Sequence, residues 1–477
     1  MESEKIENSS RFFKNPACSY FPCHEGLDAD GFNCLFCYCP LYTREVCPGN
    51  PTFIKKEDGR TIKRCTDCTF PHRSENYDRI MNLLKTVRTS NDFEEYHHGG
   101  ERCEEITLDM SVNTNPTGLP AGVRNAILSS VDLLERYPDQ NCTLLRKKLA
   151  LSLKDMFCTE SQEDRLDFPP KNIVLGNGAS ELISLFVQAV SPKNALLISP
   201  TFSGYERALK NCRTKICHHI LSKESDFTLD GTIFSTINKT SPDMIFICTP
   251  NNPTGKMIDF DLLKELIEFC NEKGIFLFVD ECFIGFTDRE QESAVQFTAK
   301  NPHLIVLNAF TKIYAMAGIR LGFAVTSNQG LMQKVKSLAP EWNVSSIAQI
   351  AGISALEEHD YILKSRNLIR EERNYLTKEL KALGFKVYPS NANFILFEDV
   401  RANQTENNEK PHQNNDIMSD FLNNSLLKHG ILLRNCGNFN GLNENFWRTA
   451  VRTHEENKKL IETLKLLHSP EFLTCTS

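Results

Sequence analysis

Between residues 172 and 307 short apolar runs alternate with amphipathic helical stretches, and this alternation constrains the fold more than any other feature of the chain. The runs Asn172–Leu175, Ala195–Ile198, Met244–Cys248, Ile275–Val279 and Leu304–Leu307 read as buried strands. Helical stretches are predicted near 179–190 and 259–272. Strand–helix repeats of this kind give an α/β fold: a mainly parallel sheet with both faces covered. In such sheets ligands gather at the carboxyl ends of the strands, so the residues just after each run are where chemistry is expected.

Four of the runs lead into distinctive turns. Gly176-Asn177-Gly178-Ala179-Ser180-Glu181 is a glycine-rich turn opening a helix, where backbone N–H groups can hold a phosphate. Met244–Cys248 is followed by Thr249-Pro250-Asn251-Asn252-Pro253-Thr254-Gly255, and Ile275–Val279 by Asp280-Glu281-Cys282-Phe283, which leaves a carboxylate at the strand end. After the last run comes NAFTKIYAMAGIRLGF (308–323), with one lysine, Lys312, and little other charge until Arg320. Residues 320–325 read as a further strand. A lone lysine in an apolar run is ordinarily a surface residue whose amine reaches water. Held in apolar surroundings, its pKa falls and the free amine can form a Schiff base with an aldehyde.

At 477 residues the chain is too long for one ordinary core. Three parts are predicted: a module with its helix and linker over 1–90, a larger α/β domain with an extended arm over 91–355, and a smaller C-terminal domain over 356–477. The net charge of −7 offers no electrostatic case for nucleic acid or an anionic membrane as partner. No run approaches bilayer-spanning length, and the N-terminal residues lack the apolar core of a secretory signal. A cytoplasmic setting is expected.

Of 18 cysteines, eight lie between Cys18 and Cys68: Cys18, Cys23, Cys34, Cys37, Cys39, Cys47, Cys65 and Cys68. Without an export signal, so dense a group reads as metal ligands rather than disulfides, and His24 and His72 stand among the ligand-like positions. Cys34-x-x-Cys37 and Cys65-x-x-Cys68 each put two thiolates on one tight turn. Zn²⁺ is the first expectation, and an iron–sulfur cluster uses the same ligands. A segment this short and polar needs such a staple to fold. Its wording (FPCHEG, NCLFCYCPLY, CTDCTFPHRSENYDRI) resembles the cysteine-rich small domain family, which implies a fold and little about function. A helix is predicted over 76–89, then a linker at 89–92.

The order GNGASE, NNPTG, DECF and TKxYAxxGxRxG resembles the fold-type-I, pyridoxal-phosphate-dependent aminotransferase superfamily over about residues 95–470. The resemblance implies that Lys312 forms the Schiff base with the cofactor aldehyde, Asp280 pairs with the pyridine nitrogen and Asn252 bonds the ring hydroxyl. Ala179, Ser180, Thr311 and Arg320 would cradle the phosphate, and Phe202 would stack on the ring. Tyr137 would reach the cofactor phosphate of a second copy, since the superfamily shares its sites across a homodimer. Two positions depart from the pattern. Ala309 stands where relatives commonly have Ser or Thr, and Phe283 where many have a Tyr that bonds the ring oxygen.

Beyond a long helical stretch from about Leu356, FKVYPSNANFILFE (385–398) reads as two strands of the smaller domain, and 399–416 as a flexible insertion. Two further strand-like segments carry Arg434 and Arg448. Arginines on apolar strands commonly bind anions bidentately. In the superfamily the Arg448 position clamps the substrate carboxylate, and the Arg434 position matches one that binds a substrate phosphate. HHGG (97–100), SVNTNPTG, LLRNCGNF and RTAVRT narrow the resemblance to the threonine-phosphate decarboxylases of cobalamin biosynthesis, whose product is aminopropanol phosphate. His98 and Asn113 would then join Arg434 at the substrate phosphate. A serine-phosphate decarboxylase and a histidinol-phosphate-type aminotransferase are the alternatives. A non-enzymatic regulator that senses the cofactor is disfavoured by the full set Lys312, Asp280, Arg434 and Arg448.

Overall fold

The computed structural model describes residues 10–24, 27, 31–42, 48–49, 51–55, 61–85, 106–157, 166–400, 422 and 424–467. Cys47, His98, the 89–92 linker and residues 401–416 of the predicted insertion lie outside them. The chain divides into two compact units, Met1–Tyr96 and His97–Ser477. Among the described residues no helix is long and apolar enough to cross a membrane.

The first unit has little regular structure. Strands β1 (Thr52–Lys55) and β2 (Thr61–Arg64) form an antiparallel ribbon, and a helix spans Tyr77–Lys85. Both Cys-x-x-Cys segments close as tight turns, with Cys37 N–H donating to the Cys34 carbonyl at 3.1 Å and Cys68 N–H to Cys65 at 3.2 Å.

The second unit begins, among described residues, with an extended arm that carries β3 (Leu108–Asp109). Its main sheet is built from β4 (Ile173–Gly176), β5 (Asn194–Ser199), β6 (Lys215–Ile220), β7 (Met244–Cys248), β8 (Phe276–Asp280), β9 (Leu304–Ala309) and β10 (Gly322–Val325). The order is β4-β10-β9-β8-β7-β5-β6, parallel throughout except for β10, which runs antiparallel to both neighbours. The five predicted runs fall on β4, β5, β7, β8 and β9 to within two residues. β7 is buried along its whole length and β8 and β9 nearly so, as strands covered on both faces must be. The edge strand β6 was not anticipated: its sequence, KICHHI, is only half buried, so it lacks the continuous apolar run that marks a central strand.

Helices Ala179–Val190 and Phe260–Lys273 occupy the predicted stretches. The second starts where Asp259 accepts hydrogen bonds from the N–H groups of Asp261 and Leu262, satisfying donors that the helix cannot.

A smaller sheet contains β11 (Lys386–Val387), β12 (Phe394–Glu398), β14 (Arg434–Asn435) and β15 (Phe446–Ala450), all antiparallel, while β13 (Ile431–Leu432) pairs in parallel with β3. The arm is therefore stitched into the C-terminal part of the chain: Met110 N–H donates to Leu432, and Ala450 N–H to Met110, both at 2.8 Å. This lacing carries Ser111 to Asn113 alongside the end of β15.

Candidate active site

The carboxyl ends of β4, β7, β8 and β9 and the start of β10 meet at one edge of the main sheet. A cavity of about 330 Å³ opens there, lined among others by Lys312, Asp280, Asn252, Arg320, Arg448 and Asn113. Its size is that of a small-ligand pocket.

Each wall is held rigidly. At the end of β4, Asn177 N–H donates to Glu181 Oε2 at 2.6 Å, and Asn343 Nδ2 donates to the same oxygen at 2.6 Å. This fixes the N-terminus of the 179–190 helix, whose first N–H groups face the cavity edge at Ala179 and Ser180. Two glycines make room for the cradle. A Cβ on Gly178 would lie 2.5 Å from Arg320 Nη2, and one on Gly322 would lie 2.8 Å from the Ala179 nitrogen. Any side chain at either position would push the guanidinium or β10 away from the helix start. Positive ends of the N–H groups plus a guanidinium make an anion site.

At the end of β7, Asn251 braces the turn: its Nδ2 donates to Pro200 O at 2.9 Å and to Thr254 Oγ1 at 3.0 Å. The neighbouring Asn252 thereby presents its side chain to the cavity, where its Oδ1 accepts from Arg448 Nη1. At the end of β8, buried Asp280 accepts from the Tyr205 hydroxyl at 2.6 Å and from Cys282 N–H at 2.9 Å. Burial raises its carboxyl above the ordinary value, against those two hydrogen bonds. A cationic ring N–H placed against Asp280 would offset that cost.

Lys312 sits on the short helix Phe310–Ile313 that follows β9. Burial first, then the nearby charges of Arg448 and Arg320, pull its ammonium from 10.5 to about 8, with Cys282 and Asp280 acting the other way. Its Nζ lies 5.7 Å from the centre of the Phe283 ring, the position where a tyrosine hydroxyl is missing.

Arg448, on β15, is buried; its Nη2 donates to Ser111 O at 2.7 Å, while its Nε is buried without a hydrogen-bond partner. Burial lowers its pKa to about 10. Asn113 Oδ1 is likewise buried and unpaired. Two orphaned polar atoms in one cavity are what a missing polar ligand leaves behind.

Arg434 faces Arg448 across β14 and β15, so the two side chains leave the sheet on the same face. It lines a smaller adjoining cavity of about 20 Å³ with Phe202, Ser199 and His218, and donates to Asn438 Oδ1 at 2.8 Å. Phe202 forms a wall common to both cavities. Thr311, Ala179 and Ser180 line the larger one. Tyr137 does not; its ring is 80% exposed and stacks on Trp342 at 4.5 Å. Sequence reasoning overlooked Tyr205 and Ser111. Tyr205 was within reach, three residues after Phe202 in the first turn of the helix Ser203–Asn211 that Phe202 precedes; the Ser111 contact uses a backbone carbonyl and leaves no mark in the sequence.

In the first unit, the only group of three or more His, Cys, Asp or Glu among the described residues whose ligand atoms lie within 4.8 Å of one another is Cys23, His24 and His72. Cys18, Cys34 and Cys37 act electrostatically on Cys23. Cys68 is buried, and Cys39 and Cys65 are partly buried.

The residues around the 330 Å³ cavity fit pyridoxal phosphate: an amine for its aldehyde, a buried carboxylate for its ring nitrogen and a helix start with Arg320 for its phosphate.

The family described as aminotransferase class I and II matches residues 105–464, and that described as cysteine-rich small domain matches residues 9–94. The chain is 31% identical over 380 residues to the threonine-phosphate decarboxylase of Salmonella typhimurium, covering 77% of this chain and 95% of that protein. It is 36% identical over 379 residues to the adenosylcobalamin biosynthesis bifunctional protein CobDQ of Leptospira interrogans; the match takes in 76% of this chain and spans only 40% of that relative's length. Among solved structures, a histidinol-phosphate aminotransferase from Clostridium acetobutylicum superposes with a TM-score of 0.64 at 31% identity, over 76% of this chain and 99% of that one.

Proposed function

Because the chain belongs to the aminotransferase class I and II family, and so is a pyridoxal-phosphate enzyme of fold type I, we propose that it decarboxylates L-threonine O-3-phosphate to (R)-1-aminopropan-2-yl phosphate for cobalamin biosynthesis. The observation that carries this reading is Arg434 opposite Arg448 beside the Lys312 cavity. Like charges directly opposite on neighbouring strands destabilise a sheet, and a substrate with two anionic groups relieves that repulsion. The likeness to threonine-phosphate decarboxylase along nearly its full length supports the same choice.

Pyridoxal phosphate, when bound, supplies an electron sink for the pair left by a bond broken at the substrate α-carbon. The protein decides which bond that is. Arg448 holds the carboxylate, with its unpaired Nε as a further donor, and Arg434, with Asn113 and His98, holds the phosphate. Held between them, the substrate has its carboxylate set for departure as CO₂. Asp280 keeps a positive charge on the ring nitrogen. Lys312, with a pKa of about 8, returns a proton to the α-carbon.

The holoenzyme is expected to release CO₂ from threonine phosphate without any keto acid, and to accept serine phosphate less well, since one methyl is worth only about 1–3 kcal/mol in a pocket. Strict dependence on an added keto acid would instead identify a histidinol-phosphate-type aminotransferase, the reading favoured by the Clostridium structure. A homodimer is part of the proposal. The stretch 128–137 exposes Leu128, Val131, Leu133, Leu134 and Tyr137, an apolar face suited to a second copy, and light scattering checks it. The N-terminal unit we read as a metal-binding module with a structural role.

A further inference from the structure

We propose that the N-terminal unit holds a zinc-type ion on Cys23, His24 and His72, a mixed thiolate–imidazole site not confined to the two Cys-x-x-Cys turns. The proposal rests on the reading of that unit as a metal module and names its ligands.

The three ligand atoms already lie within 4.8 Å of one another. A tetrahedral ion needs its ligands roughly 3.5 Å apart, so small side-chain rotations close the site. His72 is buried and its orientation is set from behind. Its Nδ1 lies 3.1 Å from the Asn33 carbonyl, while Asn33 N–H donates back to the His72 carbonyl at 2.9 Å. With Nδ1–H given to a carbonyl, the Nε2 lone pair is left for an ion, the usual arrangement of a metal-bound histidine. The Phe32 ring stacks on the imidazole at 4.7 Å and blocks its other face.

Asn33 is fixed in turn. Its Oδ1 accepts from the N–H groups of Phe13 at 3.1 Å and Leu35 at 3.0 Å, and its Nδ2 donates to the Arg11 carbonyl at 3.0 Å. It is a positioning residue for His72.

The second observation concerns His24. Its Nδ1 is buried with no hydrogen-bond partner, and its ring centre is 4.6 Å from that of His72. A buried, unpaired ring nitrogen on a histidine that offers a ligand atom within 4.8 Å of those of His72 and Cys23 is accounted for by a shared cation. Cys18, Cys34 and Cys37 act on Cys23 electrostatically, and the fourth position is assigned to a thiol from this set. The ion ties residues 23–24 to residue 72, closing the stretch between them into one loop.

The test uses the full chain, purified without a polyhistidine tag from zinc-supplied cells. Its metal content is measured by mass spectrometry, and its ligands by X-ray absorption and by the visible spectrum after cobalt substitution. The expected result is zinc with both sulfur and imidazole neighbours. His24→Ala and His72→Ala should each lose an ion equivalent while keeping the visible absorbance of the cofactor at Lys312. Asn33→Ala should weaken zinc retention against a chelator without changing the ligand types. An all-sulfur shell, or full zinc in both histidine variants, would overturn the proposal and leave the module reading intact. No bound metal at all overturns both, and iron with acid-labile sulfide overturns the zinc-type ion. The wild-type absorption spectrum decides the ligand type even if the variants misfold.

Discussion

The two units solve the placing of reactive side chains by opposite means. In the second, a sheet with buried central strands carries Asp280 at a strand end and Asn252 and Lys312 just beyond two others, and hydrophobic packing fixes the strands that hold them. In the first, the strands are four residues long, two of the described thiols are exposed, and the organising centre is a polar residue, Asn33, with three backbone groups on its side-chain amide and the His72 ring on its carbonyl. A small unit buries little apolar surface with which to order itself, so the proposed ion would serve its site and its fold together. A large sheet can be built first and then furnished.

Metal removal gives the sharpest contrast. A structural zinc contributes on the order of 10 kcal/mol of folding free energy, so chelation should raise hydrogen exchange across residues 10–85 to unfolded rates while β7 and β8 stay protected. Equal protection in both units after chelation would break the contrast.

Lys312→Ala is the counterpart in the second unit. Turnover should fall by about four orders of magnitude with no loss of thermal stability. The sign follows from the lysine's depressed pKa: between about 8 and 10.5 the unfolded chain binds more protons than the folded one, so at pH 7 the native lysine costs stability that alanine recovers. A fall in Tm would show that Lys312 also supports the fold.

Phe278→Ala, in the centre of β8 and fully buried, should cost about 3–5 kcal/mol in denaturant unfolding. A smaller penalty would mean that the strand-end residues are not held by core packing. Tyr205→Phe removes one donor to Asp280. It should raise the carboxyl pKa further and reduce turnover by about 1.5–3 kcal/mol, roughly ten- to a hundredfold.

The smallest effect is in pH dependence. Cofactor capture by the apoenzyme needs the neutral amine, so its rate should climb about tenfold per pH unit and level off above about 8. Stopped-flow absorbance follows it; a plateau reached only near 10.5 would show an amine unaffected by its surroundings.

The central strands were legible because burial on two faces leaves an unbroken apolar run that any window detects. The edge strand β6 was not, since both its end residues are exposed and the residues between them are only partly buried. Antiparallel β10 was visible as a strand, but its direction was not, because pairing depends on where the chain returns. The turn motifs likewise pointed to Lys312, Asp280 and Asn252, each attached to a strand end whose position the sheet dictates.

Local pattern by itself therefore determined the α/β class, the strand ends and the residue types collected there. Tertiary structure decided what those residues meet. It put Arg434 in a cavity adjoining that of Lys312, with Phe202 between them, gave Asp280 its Tyr205 hydroxyl, and grouped Cys23 with two histidines across some fifty residues of chain. Strand and helix patterns arise from contacts within a few residues. These encounters join distant segments, and only the closed backbone sets their distances.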